Sequence, residues 1–175
     1  MVIKAANQPD ETMLGHANDL DFPGSRLIAK DAFGVGASMW QTTTKSATGV
    51  GYWIGDMGDN DTVEIYAYLM LVPGALGDLP VLEAKKGWTQ DTFRRKGLGS
   101  ALLKEAAKTA PLQSDTDGMT DMAFAQWQSI AGFKRRWWDA QRECFVEEAD
   151  VPSQDRLTPF ENGRRWVIVL ELLIQ

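Results

Sequence analysis

Cysteine and histidine are almost missing from this chain: Cys144 is the only thiol and His16 the only imidazole among 175 residues. One cysteine cannot form an intramolecular disulfide. No partner motif surrounds Cys144, so it reads as a small buried or half-buried residue in a reducing compartment rather than a nucleophile. A histidine-dependent triad and a multi-histidine metal centre are both excluded, and no metal is expected. Tyrosine is scarce too, with Tyr52, Tyr66 and Tyr68 the only three. Long apolar runs are also lacking. The closest, Trp166 to Leu170, continues through Glu171 and suits a buried strand, because a membrane-spanning helix needs about 20 apolar residues. The first residues carry Lys4, Asp10 and Glu11 without a sustained apolar core. No secretory signal and no membrane association are therefore expected, and the location expected is cytoplasmic.

Positive charge is in deficit as well. The formal net charge of −6 disfavours nonspecific nucleic-acid binding and mildly favours cationic substrates. What is present is an apolar fraction of 44%, enough for a packed core in one compact domain over residues 1–175. Seven tryptophans belong mostly to core or pocket lining.

Hydrophobic periodicity sets out the elements. Glu11 to Leu20 reads as a short helix, and Ser25 to Asp31 as a weakly marked second one. Ala37 to Thr43 and Gly49 to Ile54 read as strands, the latter leading into a polar turn through Asp56, Asp59, Asn60 and Asp61. That turn lacks the loop glycine and distal glutamate of an EF-hand, so a hairpin accounts for it better than calcium. Val63 to Val72 is the clearest strand, with Val63, Ile65, Ala67, Leu69 and Leu71 on one face, and Pro73-Gly74 is expected to end it. Val81 to Thr89 can run extended. Leu98, Leu102, Leu103, Ala106 and Ala107 then mark the buried stripe of a helix bounded by Pro111. Leu112 to Thr116 is the expected returning parallel strand, followed by a helix over Met119 to Ile130 that starts at Thr116 or Asp117. Cys144 to Val146 is extended, Pro152 to Gly163 is a polar loop, and Arg165 to Leu173 is the last strand. The class implied is α+β around a mixed sheet.

The segment joining the Val81–Thr89 strand to its helix is the most informative. Arg94, Arg95 and Lys96 precede Gly97 and Gly99, so cations and side-chain-free backbone stand at a helix N-terminus. Free N–H groups and the macrodipole attract anions there, and glycine lets a phosphate approach the amides. The residues alone describe a phosphate or pyrophosphate site.

Arg94-x-x-Gly97-x-Gly99, placed between a strand and a helix, resembles the Arg/Gln-x-x-Gly-x-Gly/Ala signature of the GNAT superfamily of N-acetyltransferases. Ala125 to Phe133, ending in Gly132-Phe133, is similar to the family's downstream Leu-Tyr-x-x-x-Gly-Phe segment, so the resemblance covers residues 82–133. It implies acetyl-CoA as cosubstrate. The pyrophosphate would lie on Arg94, Arg95, Lys96, Gly97, Leu98, Gly99 and Ser100, and the pantetheine arm would pair with the strand at Gly87, Trp88 and Thr89. The activity implied is acetyl transfer to a primary amine, on a small molecule or a protein, by direct attack. A CoA- or partner-binding protein without turnover is the alternative, and a homodimer is compatible with either.

Two features bear on catalysis. The family's frequent acid is a tyrosine four residues before the Gly-Phe glycine, and here that place holds Gln128, which cannot supply a titrating proton. For the base, Glu83 on the strand leading to the acyl site is the candidate, with Glu64 and Tyr68 behind it. Burial in a cleft would raise its pKa towards neutrality. The competing reading pairs Glu83 with Lys85 or Lys86. Lys134-Arg135-Arg136-Trp137-Trp138 is a basic, aromatic cluster of the kind that stacks on nucleotides. It could clamp the adenine end of the cofactor, contact an acidic partner or line a strand edge.

Overall fold

The structure is a computed structural model that describes residues 2–4, 16–32, 36–59, 62–116, 119–157 and 165–173. The described residues form strands β1 (Val2–Lys4), β2 (Arg26–Ala32), β3 (Ala37–Thr43), β4 (Val50–Gly58), β5 (Thr62–Leu76), β6 (Leu79–Thr89), β7 (Leu112–Gln113), β8 (Phe133–Asp139), β9 (Cys144–Val146) and β10 (Trp166–Leu172). The α-helices are α1 (Leu98–Ala107), α2 (Asp121–Ser129) and the single turn α3 (Ser153–Leu157). The class is α+β with a mixed sheet, as expected. The chain divides into two compact units, Met1–Val72 with Lys86–Leu103, and Pro73–Lys85 with Lys104–Gln175. Each boundary falls inside an element: in β5, in β6 and in α1.

In the first unit β2, β3, β4 and β5 follow one another as antiparallel neighbours, and β1 adds parallel to β5. The segment expected as a second short helix is strand β2, paired with β3 from Arg26↔Gln41 to Ala32↔Ala37. A strand partner overrides weak local helical preference, which is why the periodicity misled. The core gathers Leu20, Phe22, Trp53, Val63, Ile65, Tyr68, Met70 and Trp88.

That list corrects the expected faces of β5. Pairing with β4 steps from Ile54↔Ala67 to Gly55↔Ile65, so Tyr66 is the extra residue of a β-bulge. One inserted residue shifts the two-residue alternation, so Tyr68 and Met70 join Val63 and Ile65 in the core. Gly55 permits the bulge, since a Cβ there would sit 1.9 Å from the Glu64 carbonyl oxygen. Nor does β5 stop at Pro73-Gly74: it runs to Leu76 before a turn at Gly77, whose φ is +58°. Pro73, Gly74 and Ala75 are exposed, a setting in which a strand tolerates a missing N–H. Strand β4 likewise carries Asp56 and Gly58, which were expected in the turn, while Asn60 and Asp61 lie outside the described residues. Of the expected first helix, residues 11–15 lie outside them too.

In the second unit β7 lies parallel to β6 through Leu82↔Leu112 and Glu83↔Gln113, the arrangement expected of a β-α-β crossover. Strand β10 runs antiparallel to both β7 and β8, and β9 pairs with β8. Leu76, Val81, Trp138, Val167 and Val169 pack together as its core. Asp139, wholly buried, accepts from Arg165 Nε at 3.0 Å and Arg165 Nη2 at 2.5 Å, and from the backbone N–H groups of Gln141 and Arg142. The N-cap of α2 is Thr120, whose Oγ1 accepts from the Ala123 N–H at 3.2 Å, so the helix begins later than Thr116 or Asp117. Cys144, expected to be buried or half-buried, is exposed at the start of β9.

Candidate functional site

The loop between β6 and α1 has a backbone that few sequences can adopt. After a short 3-10 turn at Asp91–Phe93, Arg94 is extended, Arg95 has φ +62° and Gly97 has φ +81°. A left-handed conformation costs a non-glycine residue roughly 1–2 kcal/mol, so Arg95 is held there against its preference. A Cβ at Gly97 would meet nothing within 4 Å, so its space is open and the constraint is the dihedral angle alone. The Gly97 carbonyl accepts the Ala101 N–H at 2.9 Å, which starts the helix directly after the glycine turn.

Side chains around this turn are arranged for charge. Arg94, Arg95, Lys96 and Gly97 are exposed, while Leu98 is buried and anchors α1. Arg94 pairs with Asp91 at 2.7 Å, and its Nε donates to the Thr89 carbonyl at 3.4 Å. Lys96 Nζ sits 4.9 Å above the Phe93 ring, and that ring stacks on Tyr66 at 4.3 Å. The Tyr66 hydroxyl donates to Asp56 Oδ2 at 3.2 Å. Burial foremost, then the charges of Glu64 and Asp56, push its pKa up to about 12, so it stays protonated at neutral pH. The bulge therefore braces the loop: it turns Tyr66 towards Phe93, and the Tyr66 carbonyl accepts the Gln90 N–H at 2.9 Å. The sequence reading missed Tyr66 and Phe93. A glycine in the middle of the facing strand, Gly55, was the available signal. Further up β6, Gly87 is exposed, Thr89 half-buried and Trp88 buried against Tyr68.

Glu83 has a different character. Its Oε1 accepts from Lys85 Nζ at 2.8 Å, from the Thr116 N–H at 3.0 Å and from Thr116 Oγ1 at 2.7 Å. Lys85 Nζ also donates to Asp115 Oδ1 at 3.1 Å. Burial works to raise the carboxyl pKa, but the hydrogen bonds from Lys85 and Thr116 outweigh it and hold the group below the usual carboxylate range. The expectation of a carboxylate lifted towards neutrality is thus corrected, and the pairing with Lys85 is what the structure contains. Gln128 is exposed on α2, and its carbonyl accepts from Arg135 Nη1 at 3.1 Å.

The basic, aromatic cluster lies in β8, where Lys134 to Trp137 line a cavity of about 420 Å³ with Phe145, Val146, Glu147 and Glu148 while Trp138 packs in the core. Its guanidinium groups already have partners. Arg135 pairs with Glu148 at 2.8 Å, and Arg136 pairs with Glu171 at 2.7 Å while covering the Phe145 ring at 3.5 Å. Arg135, with burial opposing it, holds the Glu148 carboxyl below its ordinary pKa. Among the described residues no group of three or more His, Cys, Asp or Glu side chains could hold a metal ion, and no helix is long and apolar enough to cross a membrane.

No family model and no curated protein matches the chain. Solved structures do. The chain is similar to solved acetyltransferases of the GNAT family. One, from Staphylococcus aureus Mu50, is 14% identical with a TM-score of 0.40, over 74% of this chain and 70% of that one. AtaTR bound with AcCoA is 8% identical with a TM-score of 0.45, over 72% and 69%. A Bacillus subtilis acetyltransferase in complex with CoA is 19% identical with a TM-score of 0.38, over 73% and 78%.

Proposed function

We propose that this chain is an acetyl-CoA-dependent N-acetyltransferase that moves the acetyl group to a primary amine by direct attack. The observation that carries the reading is the turn ahead of α1. Arg95 and Gly97 in left-handed backbone, exposed cations and the N-terminus of a helix stand together there, the combination that favours an anion such as a pyrophosphate. Arg94 to Ser100 hold the pyrophosphate, and the β6 residues Gly87, Trp88 and Thr89 run alongside the pantetheine arm.

In the chemical step the amine nitrogen attacks the thioester carbonyl, a tetrahedral oxyanion forms, and collapse expels the CoA thiolate. Backbone N–H groups of β6 near Gly87–Thr89 stabilise the oxyanion. The oxygen of Glu83 that carries the network is engaged three times, and its carboxyl is held ionised, so the ammonium proton passes to water rather than to Glu83. Thiolate departure without a tyrosine in the place of Gln128 leaves solvent as the proton donor. An acidic surface favours a cationic acceptor.

A second reading, CoA binding without turnover, is favoured by one observation: neither Glu83 nor Gln128 offers a group titrating near neutrality. A single assay separates the two. Purified protein with acetyl-CoA and a panel of small amines, peptides and aminoglycosides should release free CoA thiol above the hydrolytic background with at least one acceptor. Tight acetyl-CoA binding with no thiol release across the panel would favour the binding module.

A further inference from the structure

Strands β6 and β7 pair for two residues only, and the end of that pairing is built from side chains. Beyond Glu83↔Gln113 the chain after β7 stays bonded to β10, its partner on the other side, and not to β6: the Ser114 N–H donates to the Ile168 carbonyl at 2.9 Å, and Ser114 Oγ accepts the Ile168 N–H at 3.1 Å. Strand β6 keeps going to Thr89. Across this parting, Glu83 and Lys85 occupy alternate positions and so share one face of β6. They reach the two residues after Ser114, Glu83 through Thr116 and Lys85 through Asp115. A ladder of ionic and hydroxyl contacts replaces the backbone ladder where the latter stops.

Side chains hold two strands farther apart than the backbone bonds they replace, since adjacent strands in a ladder lie about 4.8 Å apart. The network also satisfies its own charges, which makes it a rigid spacer rather than a reactive group. We propose that Glu83 is a positioning residue: with Lys85, Asp115 and Thr116 it forms a clamp that stops β6–β7 pairing at Glu83 and keeps the following stretch of β6 presentable to the acyl-pantetheine arm of acetyl-CoA. This rests on the acetyl-CoA reading above and assigns Glu83 a part in cofactor binding in place of proton transfer.

The test needs no acceptor. Binding of acetyl-CoA and of phosphoadenosine diphosphate, the nucleotide end of coenzyme A, is measured by calorimetry for wild type, Glu83→Ala, Glu83→Gln and Thr116→Val, with melting temperatures alongside. Glu83→Ala should weaken acetyl-CoA about tenfold, roughly the effect of losing one charged hydrogen-bonding group, and leave the nucleotide unchanged. Glu83→Gln keeps an acceptor for Thr116 and should stay within about threefold of wild type, with Thr116→Val between the two. If Glu83→Ala does not fold, Thr116→Val against Glu83→Gln decides. Unchanged acetyl-CoA affinity in the variants would overturn the clamp, and equal losses for both ligands would reduce it to a fold-stabilising contact. A wild type that binds neither ligand would instead remove the acetyl-CoA reading itself.

Discussion

Two charged regions of this protein are built on opposite plans. Around Glu83 every charge is answered: carboxylate, ammonium, hydroxyl and backbone N–H close on one another within 2.7–3.1 Å. Asp139, itself wholly buried, repeats the plan with the part-exposed Arg165. At the glycine turn the charges face outward. Among the described residues Arg95 and Lys96 make no ion pair, and Arg95 is held in left-handed backbone with its side chain in water. A satisfied network stabilises a fold, whereas exposed cations beside a helix N-terminus store an affinity that only a ligand can realise. Charge alone therefore does not mark a binding site; charge without an internal partner does.

The comparison can be broken from either side. The largest effect should come from the network around Asp139: Asp139→Ala removes the acceptor of Arg165 and of the Gln141 and Arg142 N–H groups and should lower stability by roughly 1–3 kcal/mol, seen as a shift in the urea midpoint. Acid should act on the same plan. Asp139, through Arg165, and Glu83, through Lys85 and Thr116, both have folded-state pKa values below their unfolded ones. Their stabilisation is fully present above the unfolded values, near 4, and is lost as pH falls through the lower folded values. Wild-type unfolding free energy should drop below about pH 4, and Glu83→Gln should flatten part of that slope; a variant curve parallel to wild type would refute the assignment. The smallest effect belongs to the loop. Arg95→Ala should barely change the melting temperature yet weaken acetyl-CoA several-fold at low salt and less at high salt, because exposed charge is screened. A loss independent of ionic strength would mean that Arg95 acts through backbone shape instead.

How much of this was legible beforehand depends on how local the cause is. The stripe of Leu98, Leu102, Leu103, Ala106 and Ala107 is buried as its spacing implied, because helical periodicity is written within one segment. The strand, glycine turn, helix and parallel strand follow for the same reason. Strand β2 and the long run of β5 past Pro73 depend on partners distant in sequence, and no local pattern encodes those. The bulge at Tyr66 was written only in Gly55, a single residue on the facing strand, and it put Tyr68 and Met70 into one cluster with Val63 and Ile65 while Ala67, Leu69 and Leu71 stay buried. At Glu83 the residue and its pairing with Lys85 were both foreseeable, but the pKa direction was not. It depends on Thr116, 33 residues away, supplying two hydrogen bonds at once.

The central claim is that the turn at Arg95–Gly97 binds the pyrophosphate of acetyl-CoA. Its most direct test is a calorimetric titration of acetyl-CoA into wild type and Gly97→Val. A Cβ at that position meets open space, so the variant should fold with a modest loss of about 1–2 kcal/mol from the left-handed dihedral. The account predicts saturable binding to wild type and an affinity at least about tenfold lower for the variant, a difference of about 1.4 kcal/mol. Equal affinity in a folded Gly97→Val protein, or no binding to wild type, would contradict it.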